Sequence, residues 1–287
     1  MPAFETPDPI SATIELAVGA VRLTAGDEDT TLVDVQPSDP SNGEDVKAAA
    51  QTRVELQDGR LLVKGPRGRW RSRSGGGSID VTVELPAGSE LTGTGGLADF
   101  RCDGELGDCR VRIGLGHVGV ERAGALNVRT GHGDVTVDRA TAHADIKVAS
   151  GDVRVRELDA TAVVKNSNGD TWVGVAGGEL RVSSANGSIA VDVARAGVDA
   201  KTARGDIRLG EVERGSVALV TSLGDVQVGI PEGTAAWLDV SAAAGRVQNA
   251  LDEADAPASG TETVEVRART SFGGVVIGRP PAGAPAR

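Results

Sequence analysis

Polar and apolar residues alternate along most of this chain, and the alternation restarts at a fixed interval. Between 131 and 228 the chain reads TGHGDVTV, ASGDVRV, SNGDTWV, ANGSIAV, ARGDIRL and SLGDVQV. The central glycines Gly133, Gly151, Gly169, Gly187, Gly205 and Gly224 lie 18, 18, 18, 18 and 19 residues apart. Alternating residues precede each glycine, as in Leu126, Val128 and Thr130, or Ala144, Ile146 and Val148. Others follow it, as in Val135 and Val137, Val153 and Val155, Ile207 and Leu209. Alternation at period two in β-branched residues predicts strand, glycine turn, strand and a short return. Glycine supplies the turn with positive φ at no steric cost, and the aspartate after it accepts hydrogen bonds from nearby backbone N–H groups.

Two strands of this length cannot bury an apolar side alone. Stacking like units buries it, because equivalent residues align in interior columns. The constant period and the constant chemical character of each column favour parallel stacking over a run of hairpins. The predicted fold is therefore all-β: a single-domain parallel β-solenoid with coils of about 18 residues. The column three before the glycine, Ile113, Thr130, Val148, Asn166, Ser184, Thr202 and Thr221, becomes polar along the chain. These side chains are expected to bond across coils or to the turn backbone.

The period also sets boundaries. Residues 1–9 are Pro-rich and read as a disordered N-terminus. Residues 10–88 read as an N-terminal β cap: ATIELAVGAVRL fits the coil template around Gly19, residues 36–45 form a loop, and Asp58-Gly59 turns a hairpin. The Gly-flanked stretch 65–77 is a flexible Arg-rich loop. Regular coils run over 89–249, with Ala98 at one glycine position. Irregular C-terminal coils occupy 250–279, where TETVEVRART and SFGGVVIG close the stack, and 280–287 is a disordered tail.

Composition agrees with a narrow interior. Aromatics make up 2% of the 287 residues and tyrosine is absent, so valine, isoleucine, leucine and alanine must fill the core. The net charge of −11 argues against general nucleic-acid binding, which needs a basic footprint. The opening MPAFETPDPI has no basic n-region or apolar h-region, and no apolar run approaches a membrane span. The expected compartment is the cytoplasm. Cys102 and Cys109 then read as buried thiols in inward columns, with a disulfide or redox pair as the alternative.

Four features could carry chemistry. The residue after each glycine position forms a column of Asp99, His117, Asp134, Asp152, Asp170, Ser188, Asp206 and Asp225. Stacked carboxylates about 5 Å apart repel, and a cation ladder would relieve them. One oxygen ligand per coil is too few for calcium, and the nine-residue calcium repeat is absent, so turn capping is the reading. His117, between Asp99 and Asp134 and near His132, could form a proton relay or a metal half-site, but no motif places a nucleophile beside it. No HExxH or CxxC spacing supports zinc. Arg67, Arg69, Trp70, Arg71 and Arg73 form RGRWRSR, which suits a phosphate or an acidic partner and also suits a solvated loop. The glycines fail as a phosphate loop, since none precedes Lys-Ser/Thr.

The opening IELAVGAVRLTAGDED, the segment IDVTVELPAGSEL and the serial S-x-G-D-V-x-V units such as ASGDVRV and SNGDTWV resemble the bacterial "putative adhesin" family. These β-strand-repeat proteins of unknown function are often found in actinobacteria. The likeness covers roughly 10–279. It implies a right-handed β-helix-like fold and brings no catalytic residues. The sequence thus reads as a non-catalytic scaffold or interaction module, without cofactor or metal, that meets a protein partner or its own copy. The alternatives are a carbohydrate-binding or carbohydrate-active β-helix protein, or an anionic-ligand binder acting through 67–73.

Overall fold

The structure, a computed structural model, describes residues 2–66, 77–251 and 263–280. The chain divides into two compact units, Met1–Thr141 and Ala142–Arg287. Both are built from parallel β coils, so the fold class is a parallel β-solenoid.

The first unit contains β1 (Ala3–Glu5), β2 (Ser11–Gly26), β3 (Thr30–Pro37), α1 (Gly43–Gln51), β4 (Arg53–Gln57), β5 (Arg60–Lys64), β6 (Ile79–Pro86) and β7 (Glu90–Leu106). It continues with β8 (Cys109–Leu115), β9 (Val118–Ala123), β10 (Leu126–His132) and β11 (Val135–Ala140). Like lies on like. Val21 faces Phe100 and Leu23 faces Cys102 between β2 and β7. Val135 faces Val118 and Val137 faces Val120 between β11 and β9. Because side chains alternate faces along a strand, this register sends every second residue inward. Val120, Val128, Val135 and Val137 are buried accordingly. Each fully buried valine or leucine contributes about 1.5–3 kcal/mol relative to exposure.

Coil order departs from chain order at the start. β5 and β6 run parallel to β2 on the edge that β7 does not use. β3 then pairs antiparallel with β6, and β4 antiparallel with β5. The predicted hairpin is present between β4 and β5, with Asp58 and Gly59 both at positive φ. β2 and β6, placed within the cap by the sequence, are themselves coil strands; the cover is made by β3, β4 and α1.

Two local expectations are corrected here. Residues 3–5, expected to be loose, pair antiparallel with β3. The stretch expected as a loop at 36–45 runs into helix α1, capped by the Asn42 side chain accepting from the Glu44 N–H at 3.0 Å. The helix packs on β3 and β6. Its Asp45 is buried but satisfied: the carboxylate accepts from the Ser78 N–H at 2.9 Å, the Asp39 N–H at 3.2 Å and the Asn42 amide at 3.1 Å. Donors that converge on one carboxylate leave no periodic signal, so alternation alone missed the helix.

The second unit opens with five coils in chain order. They are β12 (Ala144–Ser150) with β13 (Val153–Leu158), β14 (Ala162–Asn168) with β15 (Thr171–Ala176), and β16 (Leu180–Asn186) with β17 (Ile189–Ala194). Then come β18 (Val198–Arg204) with β19 (Ile207–Val212), and β20 (Gly215–Leu223) with β21 (Val226–Gly229). The corners are as predicted. At Gly187, φ is +141° and an added Cβ would sit 2.0 Å from the Gly169 carbonyl oxygen of the preceding coil. Only glycine fits a backbone that turns this closely over its neighbour.

The order then reverses. β24 (Thr263–Phe272) and β25 (Val275–Gly278) stack on β20 and β21, while the earlier β22 (Ala235–Ala244) and β23 (Val247–Asn249) stack on β24 and β25. The expectation that TETVEVRART and SFGGVVIG close the stack is therefore corrected: the closing coil is 235–249. The inserted coil buries Val266, Ala268, Val275 and Ile277, whereas no residue of β22 or β23 is buried.

Candidate functional site

The glycine corners carry the most regular chemistry. In the first unit the Asp99 carboxylate accepts from the His117 N–H at 2.7 Å, and His117 Nδ1 accepts from the Asp134 N–H at 3.1 Å. In the second unit Asp152 accepts from the Asp170 N–H at 3.0 Å, and Asp170 from the Ser188 N–H at 2.8 Å. The Ser188 hydroxyl accepts from the Asp206 N–H at 3.3 Å, and Asp206 from the Asp225 N–H at 2.8 Å. Asp225 closes the series on the Gly274 N–H at 2.7 Å. Each carboxylate thus holds the corner of the next coil, a longer reach than the local turn cap that the sequence suggested. A backbone N–H held by a carboxylate balances part of its charge, which is how the column tolerates its own repulsion.

This geometry decides the His117 row. Nδ1 receives a hydrogen bond, so the neutral ring carries its proton on Nε2. Asp134 Oδ2 lies 3.8 Å from Nδ1. Asp99 and His117 are linked through backbone and not from side chain to side chain, so a relay along the row has no continuous path. Beside the row, Val18, Leu97, Leu115, Asp80, Asp99 and His117 line an open groove of about 430 Å³. Leu97 and Leu115 are strand partners and each stands about half exposed. Leu223 and Phe272 repeat that exposed pairing in the second unit. All four sit one residue before a glycine position, an offset at which the column is legible in the sequence.

The polar interior column behaves as predicted at Thr130, Asn166, Thr202 and Thr221, but not at Ser184, whose buried hydroxyl finds no partner. Asn166 donates to the carbonyls of Gly151 and Gly169 at 3.0 and 2.9 Å, Thr202 to Gly187 at 3.1 Å, Thr221 to Gly205 at 2.9 Å, and Thr270 to Gly224 at 2.9 Å. The corner is therefore gripped from inside at its carbonyl and from outside at its N–H.

Cys102 and Cys109 are buried free thiols. A hydrogen bond with Cys109, and then burial, push the Cys102 thiol well above its ordinary range. It stays protonated, and a protonated thiol is a poor nucleophile. Outward charges pair two residues along the strand, as Arg154 with Asp152 at 3.0 Å and Lys147 with Asp145 at 2.7 Å. Such exposed pairs contribute about 0–1 kcal/mol each. Arg67, Arg69, Trp70, Arg71 and Arg73 lie outside the described residues. Among the described residues no three His, Cys, Asp or Glu side chains are grouped to hold a metal ion, and no helix is long and apolar enough to cross a membrane.

Serial parallel coils with glycine corners held by side chains define a β-solenoid repeat protein. More specifically, the chain belongs to the Toastrack DUF4097 family, whose model matches residues 10–275. A protein named "putative adhesin" from Parabacteroides merdae ATCC 43184 is similar at 14% identity and a TM-score of 0.49, over 80% of this chain and 95% of that one. A "putative lipid binding protein" from Parabacteroides distasonis ATCC 8503 is similar at 13% identity and a TM-score of 0.46, over 80% and 96%. A "putative adhesin" from the same strain shares 10% identity at a TM-score of 0.34, over 96% and 95%. No curated protein matches the chain. At this distance these likenesses carry no argument about ligands.

Proposed function

We propose that this chain is a non-catalytic β-solenoid scaffold, an adhesin-like module whose task is to meet a protein partner. The observation that carries the reading is the ladder at the corners. Asp99, His117, Asp152, Asp170, Asp206 and Asp225, the groups of the column that could do chemistry beside Asp134, each hold the backbone of the next coil. Freeing any of them for a substrate would loosen a corner. What remains exposed, the paired charges and the leucine and phenylalanine ladders, suits recognition better than reaction. The family and the structures named "putative adhesin" support an interaction role without specifying it.

We place that role in the cytoplasm. The support is the cysteine usage: two cysteines in 287 residues, both in the buried columns of the coil, are no disulfide framework of the kind secreted domains carry. Recovery of the chain outside the cell with a Cys102–Cys109 disulfide would overturn this part.

The test uses the full chain as bait, followed by reconstitution with each captured partner in purified form. The expected result is binding at a defined stoichiometry that weakens when Leu97 and Leu115, or Leu223 and Phe272, are changed to serine. A turnover abolished by one point change at His117 or Asp134, with the fold intact, would replace the reading with an enzyme. Binding to a polysaccharide panel would favour the carbohydrate alternative. Anion binding lost on changing Arg67, Arg69, Arg71 and Arg73 to alanine would favour the 67–73 stretch.

A further inference from the structure

The closing coil of the second unit is incomplete as it stands. β22 and β23 have β24 and β25 as their strand partners among the described residues, so one edge of each is unpaired. Their inward positions are set by the register: Ala236 follows Val264, Leu238 follows Val266, Val240 follows Ala268, Ala242 follows Thr270 and Val247 follows Val275. In the coil beneath, Val266 and Val275 are fully buried; in the closing coil Val247 is 44% exposed and Leu238 and Val240 are half-buried. Among the described residues nothing covers this aliphatic interior, and one row of strand-edge backbone groups has no strand partner. Native edges of this kind are normally guarded by charge, proline or a bulge. β22 has one charged residue in ten, Asp239, and no proline.

The undescribed stretches that flank these coils in sequence offer little apolar material. Residues 252–262 read DEADAPASGTE and 281–287 read PAGAPAR, with no apolar side chain larger than proline. The strand itself suits a copy of itself. Its inward residues read Ala236, Leu238, Val240, Ala242: small, large, large, small. Run antiparallel about Asp239, a second β22 sets alanine on alanine and leucine on valine. The residue on the axis is Asp239, whose carboxylate already pairs with Arg269 at 3.4 Å, which blunts the repulsion of two such groups. Ten residues at about 3.3 Å each, over two sheets about 10 Å apart plus their backbones, cover on the order of 600 Å² per copy. The total of about 1,200 Å² sits at the lower bound of specific interfaces.

We infer that the exposed closing coil, 235–249, is a homodimer interface in which two copies join their β22 strands antiparallel across a twofold axis. This deepens the proposed interaction role by naming one partner, and it rests on that reading. A twofold contact uses the same patch on both copies, so assembly stops at two. Free copies expose the face and paired copies bury it.

Sedimentation equilibrium of the full chain from about 1 to 200 µM tests it, since interfaces of this size bind in the micromolar range or tighter. The expected result is a monomer–dimer equilibrium that does not proceed to larger species. Leu238→Glu should weaken dimerisation at least tenfold while circular dichroism of the diluted protein is unchanged, because the site is already half wet. Val46→Glu, at an exposed position of α1 in the other unit, should leave dimerisation intact. Asp239→Cys should form a dimer-linking disulfide on mild oxidation, with Cys102 and Cys109 buried away from it. A monomer at 200 µM, open-ended growth, or a dimer indifferent to Leu238→Glu would each overturn the inference. A monomer that still binds another protein in the bait experiment would sink this inference and leave the interaction role standing. The reverse result, a twofold dimer with no other partner, would leave this inference standing and reduce the role to self-association.

Discussion

The two units leave simple coil order in opposite ways. In the first, a later segment of chain is added outside the opening strand, and β3, β4 and α1 then lie over it. Leu61 and Val63 on β5 are buried as a result, and β4 shows charged Arg53 and Glu55 on its strand. In the second, a later segment slips inside the earlier one, and nothing described lies over β22 and β23. Their residues have the same alternating pattern and the same register as the coils beneath, yet they stay half wet. Alternation makes a coil, but a coil becomes core only when another element covers it.

The largest test compares an inner corner with one near the closing coil. Gly187→Ala should cost about 3 kcal/mol or more, because positive φ and a backbone collision act together. Gly233→Ala, at φ +81° with open space around it, should cost about 1 kcal/mol. Urea unfolding of both variants measures the difference, and equal costs would mean that the inner corner is not gripped.

The covered and uncovered ends come next. Leu61→Ala should cost about 2–4 kcal/mol, as for a fully buried leucine. Leu238→Ala, measured at a dilution where the chain is monomeric, should cost less than about 1 kcal/mol. Hydrogen exchange should agree, with amides of β22 and β23 exchanging well before those of β5 and β6.

A smaller effect probes the ladder. Asp170→Ala removes the acceptor for the Ser188 N–H and should cost about 1 kcal/mol; Asp170→Asn keeps an acceptor oxygen and should cost less. Equal losses would mean that charge, not the hydrogen bond, matters at the corner.

The smallest is a pH effect at Cys102. Its thiol ionises near 9.0 when unfolded and higher when folded. Its contribution is therefore complete below pH 9.0 and is lost as pH rises through the folded value. Cys102→Ala should flatten that alkaline slope in a chemical-denaturation series.

The sequence by itself determined the coil. Period two chose strands, the 18-residue interval chose stacking, and the polar column beside the glycines announced side chains that grip the corner. These are local facts repeated many times, so each coil confirms the others. What only the tertiary structure decided is order and cover. Helix α1 is a single short segment whose Ala48 is buried only through its packing on β3 and β6. The exchange of 235–249 with 263–278 leaves no trace in alternation, because both stretches satisfy the same template. A repeating pattern states that a coil can form, and it is silent on which neighbour that coil will have, since every neighbour offers the same edge.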